Sequence, residues 1–365
     1  MQTATTEKKD IRKLSLAQLK DLLVEHGEQG FRAKQIYEWL WKKSVTDFGQ
    51  MTNLSLKMRE LLTEHFEICP LTVANQQVST DKTVKSAFRL YDGKLIEGVL
   101  IPADDRMTAC VSSQVGCSLT CKFCATGYMD RERNLDAAEI YDQVVAIKAQ
   151  AEQLYQSPLT NIVYMGMGEP LLNYASVLQS VEYITSAEGL NMSPKRITVS
   201  TAGIAKMIKK LGDDGVKFNL ALSLHAANDV KRNQMMPINE SNTLAALKEA
   251  LQYFYQKTGN KITLEYIVFY HVNDTEDDAR ELWNFAKQIP GVHVNIIEYN
   301  PIEHASYRNT DPQTLARFAR YLETKGLSVT VRRSRGKDID AACGQLAGKS
   351  VASGGVASEG LTSEK

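Results

Sequence analysis

The chain has 365 residues, 43% hydrophobic and 24% charged, and its 43 basic side chains match its 43 acidic ones for a net charge of zero. That length exceeds the roughly 250–300 residues at which one core stops growing, so about two domains are expected; neutrality excludes whole-molecule attraction to nucleic acid and leaves only a local patch. Residues 1–10 hold no apolar signal region and no apolar run is long enough to span a bilayer, so the chain reads as cytoplasmic and free of membrane.

Residues 1–13 read as a flexible polar leader. From Ser15 a helix is signalled by a capping box with Gln18, by Leu16, Leu19, Leu22 and Leu23 at helical spacing, and by a stop at Gly27. Ile36, Trp39 and Leu40 mark a second helix, and Leu56, Met58, Leu61, Leu62 and Phe66 a third. Basic residues such as Arg32, Lys42 and Lys57 decorate this region; they fit a solvated face, and Tyr37 and Trp41 among lysines keep a nucleic-acid role open.

Between Leu71 and Ile101 the period becomes two. Val84–Leu90 and Leu95–Ile101 flank Asp92-Gly93, the signature of a β-hairpin. Periodicity alone makes Glu97 a solvent-facing strand carboxylate. After Met107, strand-like runs such as Asn161–Met165, Arg196–Ser200, Phe218–Ser223, Ile262–Val268, Val292–Ile297 and Leu327–Val331 alternate with amphipathic helices. Such alternation implies right-handed crossovers and a parallel sheet, long enough for a closed or partial barrel.

Six cysteines are present, four of them within fifteen residues, which argues against a secreted disulfide scaffold. Cys117, Cys121 and Cys124 follow a C-x3-C-x2-C spacing among Gly, Ser, Thr and Lys, unlike one face of a core helix or strand. Three thiols so close can share one soft metal centre, with a coordination position left open. A structural zinc site fits the spacing as well. In barrels of this kind chemistry gathers where strands end; here those ends are Gly166–Pro170, Ser200–Gly203, Ser223–His225 and Asn300-Pro301. Each alone reads as an ordinary turn, and His225 alone as a structural histidine, but all open onto one rim with the cysteine loop. The basic run Arg332–Lys337 fits solvated surface or phosphate contacts, and the tail from Gly348 carries no periodic signal.

The cysteine spacing resembles the radical S-adenosylmethionine (SAM) superfamily, in which three cysteines hold a 4Fe-4S cluster whose open iron takes SAM. Cys121–Gly127, Gly166–Asn173, Ser223–Ala226, Met236–Asn239 and Asp338–Leu346 are together similar to the RlmN family of bacterial RNA methyltransferases, from the helical region to about Gly348. The resemblance implies an α/β fold: a partial (β/α) TIM-like radical SAM barrel with a small amino-terminal helical domain and a β-hairpin extension. The expected organisation is a flexible leader at 1–13, a helical accessory RNA-binding domain at 14–70, a β-hairpin linker region at 71–107, a radical SAM core with a catalytic cysteine loop at 108–348, and a disordered tail at 349–365.

Residue by residue, the resemblance implies that Cys117, Cys121 and Cys124 hold the cluster. Glu169, Pro170, Ser200, Ser223, Leu224, His225 and Asn300 would contact SAM. Cys343 would be the methyl-carrying thiol, Cys110 its resolving partner through a transient disulfide, and Glu97 a proton acceptor, which reverses the bland reading of that residue. The implied reaction methylates C2 of an adenosine in 23S rRNA and tRNA, using two SAM per turnover. An electron donor such as flavodoxin or ferredoxin is implied, acting on a monomer. C2 has no lone pair with which to attack a methyl cation equivalent, so a thiol carrier and a carbon radical are both needed. Rival readings are a Cfr-like C8 methyltransferase, disfavoured by Glu169-Pro170 in place of Glu-Ala, and a zinc-stabilised RNA-binding protein without catalysis. Two stretches, Tyr128–Leu135 and Ile302–Ala305, depart from the family pattern outside the chemistry.

Overall fold

The computed structural model describes residues 8–348; residues 1–7, the start of the expected leader, and 349–365, the expected disordered tail, lie outside them. Residues 9–13 differ from the loose leader expected. β1 (Lys9–Asp10) pairs in parallel with β2 (Phe66–Glu67). Ile11 is buried, and Arg12 lies 2.8 Å from both Asp10 and Asp142. The segment reads as polar, yet a buried ion triad orders it, and its third member lies 130 residues on.

α1 (Leu16–Glu25) begins with the Ser15–Gln18 capping box, followed by α2 (Arg32–Trp41) and α3 (Leu56–His65), which Ser55 caps by accepting from the Met58 N–H. Their apolar faces meet through Leu19, Leu23, Ile36, Leu40, Met58 and Leu62. Trp41 docks this unit against the rest of the molecule: its ring stacks on Tyr183 at 3.6 Å and meets Tyr141 edge-on at 5.2 Å.

The 71–107 region is no separate linker. β3 (Thr72–Val78), β4 (Val84–Arg89) and β5 (Leu95–Ala103) run antiparallel, and β5 pairs with β6 (Arg106–Cys110). β6 in turn pairs in parallel with a later strand, so the boundary expected at residue 108 falls inside one continuous sheet. The apolar run Leu95–Ala103 is buried along most of its length, as a strand covered on both faces must be.

A short antiparallel pair, β7 (Gln114–Val115) and β8 (Arg133–Asn134), brackets the cysteine loop. Then β9 (Asn161–Tyr164), β10 (Ile197–Thr201), β11 (Asn219–Ser223), β12 (Ile262–Ile267), β13 (Val292–Ile297) and β14 (Ser328–Arg332) continue the parallel set from β6. α4 (Ala137–Tyr155), α5 (Tyr174–Thr185), α6 (Ala205–Asp213), α7 (Asp229–Met235), α8 (Leu244–Thr258), α9 (Glu276–Ala286) and α10 (Pro312–Thr324) lie between the strands. The ten-stranded sheet ends at β14 on one side and β3 on the other, so the barrel is partial, as expected. Alternation along β12 shows which face is which: Ile262, Leu264 and Tyr266 pack into the core, while Glu265 and Ile267 face an inner cavity.

Candidate active site

The inner cavity lies at the carboxyl ends of β9 to β14, with an empty volume of about 940 Å³ counted to its open mouth. Cys117, Cys121 and Cys124 line one side, on a loop that turns back on itself: the Cys124 N–H donates to the Cys121 carbonyl and the Gly127 N–H to that of Cys124. Phe123, between two of the thiols, wedges edge-on against His225 at 4.7 Å. Burial pushes the Cys117 thiol up to about 11, and Cys121 and Cys124 also rise. As bare thiolates these groups are therefore disfavoured, and only a cationic centre would reverse that.

Among the described residues no three His, Cys, Asp or Glu side chains are gathered tightly enough to hold a single metal ion. A tetrahedral zinc site, with metal–sulfur bonds of about 2.3 Å, needs such a gathering. Three thiols with no fourth such ligand gathered beside them among the described residues fit a 4Fe-4S cluster, which would leave one position open, better than a closed zinc site.

The strand ends form the opposite wall. Gly168, at φ 93°, closes the turn after β9; a Cβ there would come within 2.5 Å of Gln114, so the turn backs directly onto β7. This places Glu169, whose Oε2 accepts from the Ala202 N–H at 2.7 Å and whose Oε1 accepts from the Leu171 N–H at 3.0 Å. Burial still raises the Glu169 carboxyl above its ordinary value. Pro170, Ser200 and Ser223 also line the cavity, the two hydroxyls 3.4 Å apart. His225 accepts from the Ile267 N–H through Nδ1 at 3.1 Å, which leaves the proton on Nε2. Burial, with the nearby Arg232 cation, lowers its pKa to about 3, so it stays neutral.

Cys343 lines the cavity from a third side. It keeps exposed surface, but that surface is cavity wall, and its surroundings desolvate the thiol enough to raise its pKa while the Arg332 cation opposes the rise. Cys110, at the end of β6, is buried behind the wall and pushed up to about 12 by burial and then by the charge of Cys343. The two thiols, 233 positions apart in sequence, thus lie close enough for the charge of Cys343 to act on Cys110.

Not every expected residue faces the cavity. Leu224 is fully buried and contributes its backbone, with its carbonyl accepting from Arg232. Asn300 is buried beside the Cys343 loop; its Nδ2 donates to the Cys343 carbonyl at 3.2 Å, and its Oδ1 has no partner. Glu97, read from periodicity as solvent-facing, is buried, because its own strand, β5, is covered on both faces. Its Oε2 accepts from the Ala347 and Gly348 N–H groups at 2.9 and 3.3 Å, and its Oε1 lies 3.7 Å from the Lys85 ammonium.

Three further residues escaped the sequence reading. Arg232, on the unforeseen α7, is buried and donates to the carbonyls of Ala202, Ser223 and Leu224 and to Asn239 Oδ1, tying two strand ends together. Arg332, at the head of the basic run, is partly exposed and also lines the cavity, 3.5 Å from Glu265, whose Oε1 accepts from Asn295. Burial lifts the Glu265 carboxyl despite that cation. The inward face of β12 was the available signal, since an acidic residue there must point into the barrel.

A parallel barrel with three cysteines on the loop after its first strand, and polar strand ends facing them, defines the radical SAM class. The profile of the Radical SAM superfamily matches residues 111–283, and that of the ribosomal RNA large subunit methyltransferase N-terminal domain matches 9–68. A protein of Cytophaga hutchinsonii named as a dual-specificity RNA methyltransferase RlmN is 65% identical over 96% of both chains. The dual-specificity RNA methyltransferase RlmN of Geobacter sulfurreducens is 43% identical over 93% of this chain and 92% of its own. The crystal structure of a radical SAM methyltransferase from Sphaerobacter thermophilus superposes with a TM-score of 0.88 at 39% identity, covering 93% of this chain and all of that one. The chain belongs to the RlmN family of radical SAM methyltransferases.

Proposed function

We propose that this enzyme methylates C2 of an adenosine in 23S rRNA and in tRNA, with Cys343 as the carrier of the one-carbon unit and two SAM consumed per turnover. The observation that carries the reading is the convergence of Cys343, with Cys110 beside it, on the cavity lined by the cysteine triplet. A 4Fe-4S cluster held by Cys117, Cys121 and Cys124 would supply the electron that cleaves SAM to a carbon radical.

The protein's own groups do the rest. Cys343 takes a methyl group from one SAM by displacement at carbon, and Arg332 favours the thiolate that attacks. Glu169, Ser200, Ser223 and neutral His225 offer the polar contacts for SAM, with Nε2–H of His225 as a donor. After hydrogen is abstracted from the S-methyl group, the carbon radical on Cys343 adds to C2 and joins enzyme to RNA. The adduct must then give up one electron, which a bound cluster would take back, and the C2 proton, which goes to Glu97; attack of Cys110 on the Cys343 sulfur breaks the S–CH2 bond, the freed carbon takes a proton to become the methyl group of the released base, and a disulfide is left. The Ala347 and Gly348 N–H groups occupy Oε2, which leaves Oε1, 3.7 Å from Lys85, as the less engaged oxygen for that proton.

The partners of this reading are 23S rRNA and tRNA as substrates and, separately, an electron donor such as flavodoxin or ferredoxin for the enzyme, which would act as a monomer. Among the described residues no helix is long and apolar enough to cross a membrane. The test incubates reconstituted enzyme with SAM, reductant and RNA, then locates the new methyl group by nucleoside mass spectrometry and looks for methyl-Cys343 in the peptide map. Methylation at C8, or turnover with Cys343 never methylated, would overturn the reading.

A further inference from the structure

The segment that carries Cys343 is fastened at its root to the tip of the β3–β4 hairpin, over 250 residues earlier in the chain. Asp338 Oδ1 accepts from the Ser79 hydroxyl at 2.5 Å, and its Oδ2 from the Thr80 N–H at 3.0 Å. The exchange is reciprocal: Asp81 Oδ2 accepts from the Gly336 N–H at 2.8 Å, while its Oδ1 accepts from the Thr83 N–H at 2.9 Å. Each aspartate therefore grips backbone of the other segment. A third tie, 3.4 Å from Lys85 Nζ to the Asp340 carbonyl, runs parallel to these.

The root is also stiff. The Ala341 and Ile339 N–H groups both donate to the Gly336 carbonyl, which closes residues 336–341 into a knot two residues short of Cys343. Gly336 has φ 67°, and a Cβ there would lie 2.7 Å from Ala341 Cβ and 2.9 Å from Thr83 Cγ2. Hairpin and knot thus touch with no room for a side chain, and Ala341 and Ala342 are buried. Any tilt of the knot is passed through Ala342 to Cys343.

We propose that Asp338 and Asp81 are positioning residues for the transfer thiol: together they latch the Cys343 loop to the hairpin so that its sulfur stays within reach of Cys110. The proposal rests on the carrier and resolving roles given above to those two cysteines. Ionised carboxylates suit the task, and the hydrogen bonds from Ser79 and Thr80 hold the Asp338 carboxyl below its ordinary value. Asp81 is likewise lowered by the Gly336 and Thr83 donors, although its partial burial works the other way. The hairpin, outside the parallel barrel altogether, thereby becomes part of the transfer apparatus.

The readout is the Cys110–Cys343 disulfide in the full-length, cluster-loaded protein, equilibrated anaerobically with reduced and oxidised glutathione and quantified by non-reducing peptide mass spectrometry. Forming the bond removes two protons and two electrons from the thiols, which convert one oxidised glutathione into two reduced ones. In Asp338→Ala the disulfide-to-dithiol ratio is expected to fall at least about tenfold at fixed glutathione, as it does when a proximity effect is lost. Asp338→Asn, which keeps the acceptor for Ser79, should restore part of it, and Ser79→Ala added to Asp338→Ala should change nothing more. Iron content and melting temperature should stay near wild type. An unchanged ratio in both Asp338→Ala and Asp81→Ala would overturn the latch, as would loss of iron and stability in step with the disulfide. Failure of the unaltered protein to form this disulfide would instead overturn the assignment of the two cysteines, and the latch with it.

Discussion

The cysteine loop and the Cys343 loop face each other across one cavity and are built in opposite ways. The first is held mainly by its own backbone, with the Cys124 N–H donating to the Cys121 carbonyl, the Gly127 N–H to that of Cys124 and the Tyr128 hydroxyl to that of Lys122, and with one distant tie from the Lys122 N–H to the Met235 carbonyl. The second owes its place to distant partners: Ala125 and Thr126 donate to the Gly344 and Leu346 carbonyls, Asn300 to that of Cys343, and Glu97 accepts from Ala347. A locally held loop suits a permanently bound group. A loop held by many separate, individually modest bonds suits a thiol that must serve several partners in turn.

The sharpest way to separate the two loops is to empty the first. Cys121→Ala should bring iron per chain to background and end SAM cleavage; iron retained at the wild-type level would show that the triplet is not the metal site. Cys343→Ala should keep its iron and still lose RNA methylation by a factor on the order of 10⁴ or more, the scale of removing a covalent nucleophile. If both losses came together, the two loops would be one structural unit and the contrast would fail.

A different outcome is expected for Cys110→Ala, which should stall within its first turnover with enzyme covalently joined to RNA, visible as a shifted band that resists denaturant. Free turnover by that variant would remove Cys110 from the chemistry. On the barrel side, His225 supplies a pH signature. Its pKa of about 3 in the folded chain lies below the unfolded value near 6.5, so the unfolded chain binds the proton first. Stability should therefore fall as pH drops from about 6.5 toward 3, by up to a few kcal/mol, and His225→Asn should flatten that slope in urea titrations of the metal-free protein. The smallest effect belongs to one loop tie: Thr126→Val leaves the Leu346 carbonyl without its donor and should cost about 1 kcal/mol, read as a several-fold drop in transfer rate with iron unchanged.

The same contrast explains what could be read from the chain alone. Spacing exposes Cys117, Cys121 and Cys124 because their geometry is local, and a period of two or 3.6 exposes the strands and helices because burial repeats along them. Glu97 was misjudged from periodicity because that argument assumes one wet face, whereas both faces of β5 are covered. Arg332 hid inside a basic run for a related reason: charge density says nothing about which side chain turns inward to Glu265. Leu224 and Asn300 belong to the right strand ends, but Leu224 is held through its carbonyl by Arg232 and Asn300 bonds to the Cys343 carbonyl, contacts that a motif does not carry. The ordered residues 9–13 depend on Asp142, and the latch at Asp338 on Ser79, partners too far along the chain for any local pattern to show.

Trp41 has a consequence of another kind. Only three tryptophans occur in the chain, and this one is buried where the helical domain meets the barrel, stacked on Tyr183. Its indole is thus a built-in optical reporter: with the two other tryptophans replaced by phenylalanine, its emission should shift to longer wavelength when the helical domain lifts away, and stay put when only the Cys343 loop moves.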